Sequence, residues 1–111
     1  MRRLMVVDDE AVIAMQLEDH LQSMKYDVVG TASSAEESVS MARKLCPDLI
    51  LMDIVMEGKL DGIDAARMIK EEMDIPIIFL TAYADDKVVN RAMQAEPFGY
   101  IVKPFRESEI K

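Results

Sequence analysis

Short apolar runs alternate along the chain with segments in which apolar residues recur every third or fourth position. The runs are Leu4–Val7, Val28–Val29, Leu49–Met52, Ile75–Leu80 and Tyr100–Val102. Runs that are apolar on both faces are typical of strands in a parallel sheet covered on both sides. The sequence therefore predicts five buried strands.

The segments between the runs have the spacing of amphipathic helices. The two longest stripes are Ile13–Leu17–Leu21–Met24 and Ala35–Val39–Ala42–Cys46, and shorter ones occur at Ala66–Ile69–Met73 and within Val88–Ala95. Because Cys46 closes the second stripe, we expect it to be a small buried residue. A capping box, formed by Ser33 with Glu36 or by Ser34 with Glu37, marks the start of the second helix.

This order repeats strand and helix five times, and the fifth helix has only begun at Arg106–Lys111. Such an alternation predicts an α/β fold with a doubly wound, five-stranded parallel sheet. The flavodoxin-like strand order 2-1-3-4-5 is the first expectation for five strands. We expect one domain over residues 1–111, with its last helix truncated.

Composition narrows the classes of function. The chain has 111 residues, with 21 acidic and 13 basic side chains and a formal charge of −8. Direct binding to nucleic acid or to anionic lipid is disfavoured, because both need clustered Lys and Arg. A single cysteine excludes an internal disulfide. No apolar run approaches the ~18 residues of a membrane span, and we expect a cytoplasmic protein.

Polar residues follow four of the predicted strands. Asp8 and Asp9 follow the first strand, Asp53 the third, Thr81 the fourth and Lys103 the fifth. The carboxyl ends of parallel strands share one edge of the sheet, where open α/β folds bind ligands. These side chains are therefore expected to converge.

Three converging carboxylates need a compensating cation. At ~4 Å and an effective dielectric constant of ~20, each like-charged pair costs about 4 kcal/mol. Lys103 supplies one positive charge, and an all-oxygen site suits Mg²⁺. A carboxylate facing Mg²⁺, a lysine and a hydroxyl is equipped to become an aspartyl phosphate.

Five sequence motifs, in order along nearly the whole chain, resemble those of a receiver domain of a two-component response regulator. They are V-V-D-D-E (Val6–Glu10), L-I-L-M-D-I (Leu49–Ile54), D-G-I-D-A-A (Asp61–Ala66), F-L-T-A-Y (Phe79–Tyr83) and G-Y-I-V-K-P-F (Gly99–Phe105). The resemblance implies a phosphorylation-dependent switch rather than an enzyme. It also implies a sensor histidine kinase as phosphodonor. The recipient of the signal would be a second copy of the chain, or an output or kinase domain linked to it.

The same resemblance assigns roles to the residues at the strand ends. Asp53 would accept the phosphoryl group, Lys103 would contact it, and Thr81 and Tyr100 would move with it as the switch. Asp9, Asp53 and the backbone carbonyl of Val55 would ligate Mg²⁺, and Asp8 would hold a water of the metal. The Lys103–Pro104 peptide bond would be cis, which is inexpensive only before proline.

The chain departs from the family pattern in three places. Glu57 stands where most receivers have a proline, and a one-residue insertion lies within Glu57–Leu60. The last helix of the family normally runs several residues beyond Lys111. We therefore expect either a trimmed domain or the front of a longer protein.

Two other functions compete with this interpretation. A pseudo-receiver would bind partners without phosphorylation, and the Glu57 insertion is its only support. The sequence of a Mg²⁺-dependent phosphatase acting through an aspartyl phosphate would carry a D-x-D motif after the first strand. This chain instead has the adjacent pair Asp8 and Asp9 there.

Overall fold

The computed structural model describes residues 2–54, 60–81, 93 and 99–102. The strands are β1 (Arg3–Val7), β2 (Asp27–Ala32), β3 (Leu49–Asp53), β4 (Ile77–Thr81) and β5 (Gly99–Val102). The helices in this part of the chain are α1 (Ala11–Ser23), α2 (Ala35–Leu45) and α3 (Gly62–Glu72). Strand and helix alternate from β1 to β4, as the hydrophobic pattern predicts.

All five strands are parallel and lie in the order β2-β1-β3-β4-β5. This confirms the predicted α/β fold and its flavodoxin-like order 2-1-3-4-5. The order places β1 and β3 side by side, with β4 next to β3, although they are distant in sequence. Their carboxyl ends therefore meet at one edge of the sheet.

Alternate residues of the central strands enter two separate cores. On one face, Met5 and Val7 of β1 pack with residues of α2 and α3. On the other face, Leu4 and Val6 pack with residues of α1. A sheet with buried side chains on both faces explains why its strands read as continuous apolar runs.

The structure decides between the two predicted caps of α2. Ser34 is the N-cap residue, and its Oγ accepts a hydrogen bond from the N–H of Glu37 at 3.1 Å. Glu37 in turn accepts the N–H of Ser33 at 2.7 Å. The pair Ser34 with Glu37 is therefore the cap, and the pair Ser33 with Glu36 is not.

Cys46 is not buried, which makes that prediction wrong. Helix α2 ends at Leu45, and Cys46 is an exposed residue in the left-handed region, with φ 46° and ψ 60°. Because α2 ends one residue earlier, Cys46 lies outside the helix and does not continue its apolar face. Strand β2 is also longer than Val28–Val29, because an edge strand tolerates polar residues such as Asp27 and Thr31.

Two predicted helices fall largely outside the described residues. These are Val88–Ala95, of which only the helical Met93 is described, and Arg106–Lys111 with its predicted truncation. Across the described residues, no helix combines the length and the apolar character that crossing a bilayer requires.

Candidate functional site

Asp8 is the first residue after β1 and is held in place by its surroundings. Its backbone N–H donates to the carbonyl of Ala32 at 3.0 Å, which ties the end of β1 to the end of β2. Its carboxylate accepts the N–H of Glu10 at 2.9 Å. Only 1% of Asp8 is exposed to solvent. A carboxylate buried to this degree needs polar or cationic neighbours.

Asp53 ends β3 on the neighbouring strand and is also buried, with 4% exposed. The pairing of Val7 with Met52 makes the next residues, Asp8 and Asp53, level with each other across the two strands. Asp53 is paired on its other side with Leu80 of β4. The parallel register thus places two buried acids at adjacent positions on the carboxyl edge.

Asp8, Asp9 and Glu10 form a cluster of carboxylates at the end of β1. One ligand oxygen from each lies within 4.8 Å of the others. Asp8 is buried, Asp9 half-buried and Glu10 exposed. Among the described residues this three-acid set does not include Asp53. Hard carboxylate oxygens at this spacing fit a hard divalent cation such as Mg²⁺.

Glu10 has no role in the sequence prediction, although it stands within the V-V-D-D-E motif. It is the N-cap residue of α1, yet its side chain makes no capping hydrogen bond. Ser, Thr, Asp and Asn are the residues that usually cap a helix. A glutamate at this position directly after two aspartates was the available signal that its carboxylate belongs with Asp8 and Asp9.

Gly62 is a second residue whose role the sequence does not reveal. It begins α3 and donates its N–H to the carbonyl of Ile54 at 2.8 Å. A Cβ atom at position 62 would lie 1.9 Å from the carbonyl oxygen of Asp53. Asp61 caps the same helix in a reciprocal capping box with Asp64, each bond measuring 3.0 Å. The start of α3 is therefore packed against the end of β3.

The remaining predicted site residues are described in part or not at all. Thr81 is the last residue of β4 and pairs with Val102, and Tyr100 of β5 pairs with Phe79. Both lie in the strands that the prediction required. Val55, Lys103, Glu57 with its insertion and the Lys103–Pro104 bond all lie outside the described residues. The roles of all these residues stay predictions.

Comparison with known families gives a match over nearly the entire chain. Residues 4–111 match the model of the response regulator receiver domain. The transcriptional regulatory protein PdtaR of Mycobacterium tuberculosis is 40% identical over 109 residues, which are 98% of this chain and 53% of that protein. The chain spans about half the length of the curated relatives it matches.

Solved structures agree with this match in fold. The signal receiver domain of a modulated diguanylate cyclase from Desulfovibrio desulfuricans superposes with a TM-score of 0.93 at 35% identity. The superposition covers 99% of this chain and 87% of the chain of that receiver domain. A chain of the CheX–CheY–BeF₃–Mg²⁺ complex from Borrelia burgdorferi superposes with a TM-score of 0.91 at 25% identity, over 98% of this chain and 83% of that one.

Proposed function

The chain belongs to the response regulator receiver domain family, and on that premise we propose that Asp53 accepts a phosphoryl group from a sensor histidine kinase. The observation that carries the proposal is the position of Asp53. It is buried at the end of β3 and level with Asp8 on the neighbouring strand. A carboxylate fixed at the carboxyl edge beside other acids is placed to act as a nucleophile in a metal-assisted transfer.

The donor set at this edge fits Mg²⁺. Asp9, Asp53 and the carbonyl of Val55 are the proposed ligands, and Asp8 is proposed to hold a water of the metal. Each of these groups offers a hard oxygen. The carboxylate cluster at the end of β1 supports this assignment because it gathers negative charge that a cation would neutralise. Bound Mg²⁺ supplies positive charge to the oxygens of the transferring group.

The chain's own residues perform the transfer in the proposed reaction. A carboxylate oxygen of Asp53 forms the new P–O bond as the P–N bond of the phosphohistidine breaks. The electron pair of the P–N bond stays on the imidazole nitrogen. Lys103 is proposed to contact the phosphoryl oxygens and offset their charge. The burial of Asp53 limits the access of water, which would otherwise compete as a nucleophile.

Thr81 and Tyr100 are the proposed switch. Thr81 lies one residue beyond Leu80, the β4 residue paired with Asp53, so its backbone is at the same edge of the sheet. In the proposal its hydroxyl donates to the phosphoryl group, and Tyr100 moves with it. This shift would bias the face formed by β4, β5 and their adjoining segments between two arrangements.

The proposed partners follow from the reaction and from the relatives. The phosphodonor is a sensor histidine kinase, and the receiver itself is a phosphoacceptor rather than an enzyme. PdtaR is named as a transcriptional regulatory protein and is about twice as long as this chain. We therefore propose that the signal passes to a linked output or kinase domain or to a second copy of the chain. We place the reaction in the cytoplasm.

Intact-mass spectrometry tests the proposal with a small-molecule phosphodonor, phosphoramidate, in the presence of Mg²⁺. The parent chain should gain the mass of one phosphoryl group, and the gain should disappear when Mg²⁺ is chelated. Asp53→Asn should gain none. Asp74→Asn, which changes an exposed aspartate before β4, is the matched control and should behave as the parent. A parent chain that binds Mg²⁺ but gains no phosphoryl group would favour the pseudo-receiver instead.

A further inference from the structure

The peptide unit between Asp53 and Ile54 is held from two directions. Its N–H, which belongs to Ile54, donates to the carbonyl of Leu80 in β4 at 3.0 Å. Its carbonyl oxygen lies beside Gly62 at the start of α3, where a Cβ atom would be 1.9 Å from that oxygen and 2.9 Å from the carbonyl carbon. Because a peptide unit is planar and rigid, these contacts also locate the Cα atom of Asp53, which carries the carboxylate side chain.

The start of α3 is anchored in the core. Asp61 and Asp64 form the reciprocal capping box, and the N–H of Gly62 donates to the carbonyl of Ile54 at 2.8 Å. Four residues of the helix are at most 2% exposed and pack in the same core as Ile54, namely Ile63, Ala65, Ala66 and Ile69. Moving this helix away from β3 would therefore disrupt close-packed apolar contacts.

The end of β3 is less firmly held than α3. Pairing between β1 and β3 ends at Val7 and Met52, and Asp53 pairs with Leu80 of β4. Among the described strands, one neighbour rather than two thus orders the backbone of Asp53. A side chain at position 62 would push the Asp53 carbonyl rather than α3, because their separation would have to widen from 1.9 Å to at least 3.0 Å.

We propose that Gly62 is a positioning residue for phosphoryl transfer, because the lack of a side chain there lets α3 set the position of the Asp53 carboxylate. The inference rests on the proposed function of Asp53. A misplacement of ~1 Å at a reacting group can cost ~100-fold in rate, even when the altered residue lies outside the site. Gly62 itself contacts neither the phosphodonor nor the metal in this proposal and acts through the backbone of Asp53.

Gly62→Ala should lower the rate constant of phosphorylation by phosphoramidate at saturating Mg²⁺ about tenfold or more, per folded molecule. Intact-mass spectrometry follows the reaction, and urea unfolding gives the folded fraction. Ile69→Ala is the matched control, since it destabilises the same helix by removing buried methyl groups about two turns away. It should keep the parental rate per folded molecule. Equal losses in the two variants, or an unchanged rate in Gly62→Ala, would overturn the proposal.

The carboxyl ¹³C signal of Asp53 in the Mg²⁺-free chain reports the position of this side chain without phosphoryl transfer. It should shift in Gly62→Ala and stay in place in Ile69→Ala. A signal that stays in place in Gly62→Ala would mean that α3 gives way instead, which would overturn the proposal. If phosphoramidate leaves the parent unmodified, the proposed function fails, and this signal still decides whether Gly62 positions Asp53.

Hydrogen exchange of the parent chain tests the inference even if Gly62→Ala does not fold. The amide of Gly62 is bonded to Ile54, and the amide of Ile54 is bonded to Leu80. A helix start that positions the strand end must stay closed with it, so the Gly62 amide should be protected to within about tenfold of the Ile54 amide or better. A Gly62 amide that exchanges faster than this limit would overturn the proposal.

Discussion

The backbone of Gly62 lies so close to Asp53 that a Cβ atom at position 62 would be 1.9 Å from the Asp53 carbonyl oxygen. The N–H of the same glycine donates to the carbonyl of Ile54 at 2.8 Å. These two contacts join the start of α3 to the end of β3. They hold the backbone that carries the proposed phosphoacceptor.

Gly62→Ala should lower the free energy of unfolding by about 2 kcal/mol or more, because the new methyl group meets backbone that cannot turn aside. Gly30→Ala is the matched control. A Cβ atom at position 30 would meet the ends of the flexible side chains of Met41, at 2.6 Å, and Leu45, at 2.9 Å. Urea unfolding should show the larger loss for Gly62→Ala. An equal or larger loss for Gly30→Ala would contradict the prediction that the rigid backbone around Gly62 makes that position the less tolerant of a side chain.

Cys46→Gly should stabilise the chain by about 1 kcal/mol, since Cys46 has a left-handed backbone with φ 46° that glycine adopts without steric cost. Cys46→Ala distinguishes a stability effect of the backbone conformation from one of the thiol, because it removes the sulfur but keeps the Cβ atom. It should give no comparable gain. Urea unfolding midpoints of the two variants measure the difference. Equal stabilisation by alanine would attribute the effect to the thiol rather than to the backbone.

Arg43 of α2 and Glu72 of α3 form a bidentate ion pair, with Nε donating to a Glu72 carboxylate oxygen at 2.6 Å. The hydrogen bond from Arg43 holds the pKa of Glu72 below its ordinary value. The folded chain therefore binds fewer protons at Glu72 than the unfolded chain does. The pair stabilises fully above the unfolded pKa, and this contribution is lost as the pH falls through the folded pKa.

Glu72→Gln should consequently be less stable than the parent at neutral pH, and the difference should vanish in acid. The effect is small because both side chains are about half exposed, and added salt should reduce it further. Glu71→Gln changes the neighbouring exposed glutamate as a control. Unfolding free energies measured across the pH range, with and without added salt, test both the expected pH dependence and the expected salt dependence. A difference that persists in strong acid would contradict the ion-pair explanation.

Asp9→Asn should weaken Mg²⁺ binding about tenfold or more, because it removes a proposed ligand charge from the carboxylate cluster. Asp19→Asn, a change of the same type on the exposed side of α1, should leave the affinity unchanged. Calorimetric titration with Mg²⁺ measures both. Equal affinities for the parent and Asp9→Asn would remove Asp9 from the metal site.

The sheet could be predicted from the sequence because a short apolar run marks each buried strand, and such a run is visible without knowledge of distant contacts. Asp53 follows an apolar run directly, so the end of β3 and the acid at that end could both be predicted. The parallel order then brought Asp8 and Asp53 to adjacent strands, as expected for buried strands of this type.

Gly62 and Cys46 show what the pattern does not contain. The need for glycine at position 62 arises from contact with Asp53, nine positions earlier, and no periodicity reports such a contact. The exposure of Cys46 depends on where α2 ends, and an apolar stripe marks a face of a helix but not its last residue. Glu10 was overlooked because its charge alone does not distinguish a helix cap from a member of an acid cluster.

The location of the phosphoryl group tests the central claim most directly. After phosphorylation with phosphoramidate and Mg²⁺, borohydride reduces an aspartyl phosphate to homoserine, which peptide sequencing by mass spectrometry locates. The proposed function predicts homoserine at position 53, and none in a sample from which Mg²⁺ has been chelated. Homoserine at Asp8 or Asp9, or at no position in a chain that binds Mg²⁺, would contradict it.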